Sequence, residues 1–187
     1  MKSLPHMTLA HKKILPQFVK TASIVITLCL LAVAQSSPQI QLPDVRLDAD
    51  GLAPRPIEEL TGTTIARHYA WAWRDLVSAL ESNQPERLGE EFAGFAKDRL
   101  VQRVGEQKQA GMHVRIVDHG HHLKAVFYST NGTAMQLFDE VQLETQIYDG
   151  NKLLNTEKAP HEYMVLMTPG ADRWYVRDLE EVSAKSF

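Results

Sequence analysis

The sequence predicts an α+β domain, with helices from its first half packed on one side of a curved antiparallel sheet built by its second half. Three observations predict this. Apolar residues recur at helical spacing from Ile65 to Val104. From Val114 onward the period changes to two. The period-two runs are separated by the turn signals Asn131-Gly132, Asp149-Gly150 and Pro169-Gly170-Ala171-Asp172.

Taken in order, the first helix has Thr61 or Thr63 as a possible N-cap, and Ile65, Tyr69, Ala72, Leu76, Ala79 and Leu80 as its apolar face. It should stop near Asn83, because Pro85 suits the first turn of a following helix and not a helix interior. The next segment places Leu88, Phe92, Ala96, Leu100 and Val104 on one face. Gly94 can divide it and Gly111 can end it. Val114–Ile116 starts a strand, and Leu123–Ser129 forms another. Between Leu137 and Ile147 one face carries Leu137, Asp139, Val141, Leu143, Thr145 and Ile147. The other carries Phe138, Glu140, Gln142, Glu144, Gln146 and Tyr148. That alternation describes a strand with one side on the core. His161–Thr168 and Arg173–Leu179 complete a meander of four to five strands.

The N-terminus reads as an export signal. Residues 1–34 hold Lys2, Lys12, Lys13 and Lys20 and no acid, then an apolar run from Ala22 to Ala34 that ends in Ala32-Val33-Ala34. A basic start, an apolar stretch and a small-residue exit describe a cleavable signal peptide. The run of 13 residues is short of the ~20 that span a bilayer, so an uncleaved anchor is the alternative. Residues 35–56, with Pro38, Pro43, Pro54 and Pro56, read as an extended linker, and 57–187 as one domain. Cys29 is the single cysteine of the chain, so cleavage after Ala34 leaves neither disulfide nor thiol chemistry. Export without disulfides points to a periplasm or an external medium.

Composition narrows the function further. Hydrophobic residues are 44% of the 187 and charged residues 23%, enough apolar content for a core. Without residues 1–34, 16 basic residues face 23 acidic ones, a net charge of −7. Nucleic acid is therefore not an expected partner, and a membrane is expected only through an uncleaved signal segment. Phosphate-cradling Gly-rich loops, a Gly-x-Ser-x-Gly elbow and His-Glu-x-x-His do not occur. No cofactor is expected.

The stretch Tyr69-Ala70-Trp71-Ala72-Trp73, the helix Phe92–Val104 and the closing run Tyr163–Leu179 with Trp174-Tyr175-Val176 resemble the nuclear transport factor 2-like superfamily, the cystatin-like cone. The resemblance spans roughly residues 58–183. It implies a curved sheet against helices, with an apolar pocket at the open end, edged here by Tyr69, Trp73, Tyr163 and Arg177. The superfamily holds small isomerases, dehydratases and cyclases, and many members that only bind. The resemblance carries no catalytic pattern over residue by residue.

Two places can bear chemistry. Asp118-His119-Gly120-His121-His122 is dense in ligating atoms, and on a regular strand His119 and His121 share a face. The pair are weak candidates for a metal, set against a polar bend in which Gly120 permits a bulge. Asp139 sits in the core-facing row of its strand, where burial would raise its pKa and suit it to general acid or base work with Tyr128 and His161 as partners. The plainer expectation puts Asp139 at the rim, solvated or paired with Arg177. His68 reads as a surface residue, and Asn131-Gly132-Thr133 is explained by its turn. The expectation from sequence is an exported, non-catalytic domain for an unknown apolar ligand or protein partner, as monomer or dimer. The alternative is a small pocket enzyme, an isomerase, dehydratase or hydrolase, with Asp139 as acid or base.

Overall fold

The computed structural model describes residues 41–182, and the proposed signal peptide lies outside them. The element order is β1 (Val45–Asp48), α1 (Glu59–Ser82), a 3₁₀ turn (Pro85–Leu88), α2 (Gly94–Gln109), β2 (Met112–Tyr128), β3 (Met135–Asp149), β4 (Lys152–Pro169) and β5 (Trp174–Glu181). The five strands form one sheet in sequence order, antiparallel throughout except that β1 runs parallel to β2. Both helices pack on one face of this sheet, as the change of period requires.

The apolar stripe of α1 makes the centre of the core. Ile65, Tyr69, Ala72, Ala79 and Leu80 have no exposed surface, and Leu76 has 4%. They meet Leu123, Leu137, Val165 and Val176 from four strands, all fully buried. The second segment also packs as its spacing demands, with Leu88, Phe92, Ala96, Leu100 and Val104 all buried. Helix α1 ends where Asn83 adopts a left-handed conformation, φ 54°, and Pro85 opens the 3₁₀ turn. Its start lies earlier than either threonine, at Glu59, with no side-chain cap. Thr63 instead donates back to the Glu59 carbonyl. In β3, Leu137, Val141 and Leu143 face the core at 0%, 3% and 2% exposure, so the predicted face of this strand is the observed one.

Three sequence expectations need correction. Residues 45–48 are a strand and not part of a linker, and Leu47, Leu52 and Ile57 pack against the core. Four residues are too few to show a period, and their pairing partner, His121–Lys124, is distant in sequence. Second, Val114–Ile116 and Leu123–Ser129 belong to one strand, β2, whose register against β3 shifts between Asp118 and His121. Gly120, at φ 105°, makes that bulge, in a backbone conformation that side chains resist. Third, β4 begins at Lys152, nine residues before His161. Lys152–Lys158 are exposed on both faces, so the stretch carries no alternation to read.

Candidate functional site

Asp139 is at the middle of the molecule. It lies between Leu123 of β2 and Tyr163 of β4 in the sheet register and has no exposed surface. Its Oδ2 accepts two hydrogen bonds, from the Tyr69 hydroxyl at 2.7 Å and from His121 Nδ1 at 2.7 Å. The other ring nitrogen of His121, Nε2, is 2.7 Å from Asp118 Oδ2. The result is a chain of four groups, Asp118, His121, Asp139 and Tyr69, with each link at hydrogen-bond distance. Asp139 Oδ1 has no partner among the described residues.

The bulge creates this chain. On a regular strand Asp118 and His121, three apart, would face opposite ways. The extra residue at Gly120 turns both to the inner side and leaves His119 exposed. His119 and His121 therefore do not share a face, contrary to the spacing argument for a metal pair. Among the described residues no group of three histidine, cysteine or carboxylate side chains is arranged to hold a metal ion.

Burial by itself would lower the pKa of His121. The hydrogen bonds to Asp118 and Asp139, and then the charges of the two carboxylates, outweigh it and raise the value from 6.5 to about 9. Geometry agrees, because both ring nitrogens face carboxylate oxygens and both must donate. His121 is thus an imidazolium at neutral pH, held between two anions. Burial, then the charge of Asp139, pushes the Tyr69 hydroxyl well above 10, so it stays a donor.

Trp73 and Tyr163 separate this cluster from a cavity on the helix side of the sheet. The Trp73 ring lies 4.5 Å from the His121 ring on one side and 5.5 Å from the Tyr163 ring on the other. In front of them, between α1, α2 and the inner face of β3–β5, is a cavity of about 320 Å³. Leu76, Leu80, Leu100, Ile116, Leu143 and Leu179 supply apolar walls. Its lip is polar. Arg99 is paired with Asp178, and His161 Nδ1 is 2.7 Å from Glu181. Arg103 is also at the lip, and among the described residues it makes no ion pair. Burial, followed by the Glu181 charge, raises the Tyr163 hydroxyl to about 12, with Arg103 acting the other way.

The residues singled out from sequence therefore separate into three places. Asp139, Tyr69 and His121 form the closed cluster. Trp73, Tyr163 and His161 line the cavity, so His161 is no partner of Asp139. Tyr128 and Arg177 belong to neither. Tyr128 is buried at the far end of β2 opposite Met135, with Arg55 over its ring at 5.1 Å. Arg177 is exposed, bonded to Thr168 and 5.6 Å above Tyr175, so Asp139 is neither at the rim nor paired with it. His68 is buried too, at 5% exposure, with Nδ1 2.8 Å from Glu91. Reasoning from sequence missed Asp118 as the partner of His121. The glycine between the histidines was the available signal, since a bulge changes which residues share a face.

These elements define the class. The fold is an α+β layer of two helices on one face of a five-stranded sheet, with a buried polar cluster behind an apolar cavity. Solved structures similar to the chain include the intermembrane-space region of the chloroplast protein ARC6, at 16% identity and a TM-score of 0.57, covering 69% of this chain and 98% of that one. A protein described as a dehydratase of the NTF2-like family from Streptomyces avermitilis matches at 10% identity and a TM-score of 0.44, covering 64% and 96%. A periplasmic fragment of TraM matches at 10% identity and a TM-score of 0.43, covering 60% and 93%. These likenesses concern the fold alone. No family model and no curated protein matches the sequence.

Proposed function

We propose that this chain is an exported domain that holds a small apolar molecule in the mouth of the cone and carries out no reaction on it. One observation carries the reading. The acid–base cluster of Asp139, His121 and Tyr69 is closed away, and the cavity beside it has aliphatic and aromatic walls, with the His161–Glu181 pair at its lip. A general acid or base must come within hydrogen-bond reach of its substrate. Asp139, Tyr69 and the His121 ring have no exposed surface, and Trp73 and Tyr163 stand in the way. The volume, about 320 Å³, is at the small end of ligand sites, and walls of this kind with a few polar groups at the lip are usual for them. Export rests on the basic and apolar features of residues 1–34. Among the described residues no helix is long and apolar enough to cross a membrane.

The test is a fluorescence titration with 1-anilinonaphthalene-8-sulfonate. The expected result is saturable one-to-one binding, weakened at least tenfold by Leu143→Arg at the inner wall. Binding unaffected by that change, or none at all, overturns the reading. The enzyme reading is favoured by a single observation, the buried Asp139 between histidine and tyrosine. It requires turnover of an apolar substrate that Asp139→Asn abolishes while the fold persists.

A further inference from the structure

The mouth cavity does not end at solid core. A second hollow, of about 430 Å³, lies between α1 and the part of β2 not covered by β1, under Leu42 and Pro43. Among the described residues two side chains line both spaces, Trp73 and Ile116, and no other is common to them. Trp73 is the larger of the pair. Its indole N–H is buried and has no hydrogen-bond partner among the described residues, so the ring is held in place mainly by packing against Tyr69, His121 and Tyr163. Removing the ring leaves no acceptor unpaired. Ile116 is only partly buried and approaches from the sheet side.

Building on the binding reading above, we infer that Trp73 and Ile116 form a partition that limits the length of the ligand. The mouth takes compact apolar molecules, of about one ring system or a short chain, with a polar end left at the lip beside Arg103 and His161. Long-chain lipids are rejected, because the partition stops the chain before it reaches the second hollow. Trimming the partition joins the two spaces into one passage, and a chain that overran the mouth can then extend under Leu42 and Pro43. Trp73 is thereby a specificity-determining residue and not a catalytic one.

A ladder of straight-chain alcohols competing with 1-anilinonaphthalene-8-sulfonate reads this directly, on the unaltered protein, on Trp73→Leu and on Ile116→Ala. In the unaltered protein affinity should rise about fourfold per methylene, as burial of apolar surface dictates, and then stop at a cutoff length. In either variant the cutoff should move to longer chains, with a smaller gain for each further methylene, because Arg74, Glu81, Arg115 and Asp118 line part of the second hollow. An identical cutoff in all three proteins, or no cutoff in the unaltered one, overturns the partition while leaving the binding site intact. No competition by any alcohol in the unaltered protein overturns the binding reading itself. If circular dichroism shows that Trp73→Leu does not fold, Ile116→Ala at its half-buried position decides the matter alone.

Discussion

The sealed cluster around Asp139 and the open mouth in front of it are about one ring apart, and they use similar residue types to opposite ends. In the cluster, the His121 side chain has no exposed surface and is held between Asp139, fully buried, and Asp118, 14% exposed. At the mouth, His161 is also held by a carboxylate, Glu181, but the pair faces solvent, with the glutamate side chain 54% exposed. Removing a partner from the first leaves a charge stranded in the core, which is expensive. Removing a partner from the second leaves a charge that water can solvate. The difference teaches that a strongly perturbed ionisable group is not by itself a reaction centre. Access decides, and the His121 side chain has no exposed surface.

Substitutions can break or sharpen this contrast. The largest effect is expected for Asp139→Ala, which leaves the His121 imidazolium with one partner and the Tyr69 hydroxyl with none. A loss of about 3–5 kcal/mol is expected in urea unfolding. A loss under about 1 kcal/mol would mean that the cluster is solvated and the contrast false. Next comes pH. The folded pKa of His121, about 9, lies above its ordinary 6.5, so the proton stabilises the fold. That stability is fully present below pH 6.5 and lost as pH rises through 9. It amounts to about 3 kcal/mol, measured as unfolding midpoints across this window. The slope should vanish in His121→Gln, and a slope that survives there assigns it elsewhere.

Smaller changes follow. Tyr69→Phe deletes one hydrogen bond to a charged acceptor and should cost about 1.5–3 kcal/mol. Gly120→Ala forces a side chain into φ 105°, with its Cβ 3.5 Å from the Asp44 carbonyl. It should cost about 1–3 kcal/mol and disturb the Asp118–His121 bond, visible as a downward move of the His121 titration by NMR. Smallest of all, His161→Ala at the mouth should change stability by no more than about 0.5 kcal/mol, as surface changes do. A large loss there would place the mouth histidine in the same category as His121.

Much of the fold was legible because its long elements carry clean periods. The stripe Ile65 to Leu80 and the row Leu137–Leu143 are both buried as their spacing required. What stayed illegible lacked a period for a physical reason. Strand β1 is four residues long and is specified by its partner. The first part of β4 is exposed on both sides, and the parity of Glu162, whose carbonyl accepts from Val182, sends the missing N–H of Pro160 to the free edge, where a proline is tolerated. The candidate site was half legible. Period two placed Asp139 on the core side, but its partners come from a helix and from beyond a bulge. One inserted residue at Gly120 exchanged His119 for Asp118 as the neighbour of His121. Pairings across elements, such as His68 with Glu91, left no local mark at all.

A bound ligand should touch the mouth and not the cluster. Chemical-shift mapping by NMR during titration with a short straight-chain alcohol tests that directly. The expected shifts are at Leu100, Leu143, Leu179 and the Tyr163 ring, with the His121 ring resonances and their titration near pH 9 unchanged. Direct contacts to the His121 ring, or a bound ligand that moves its titration by more than a unit, would contradict it.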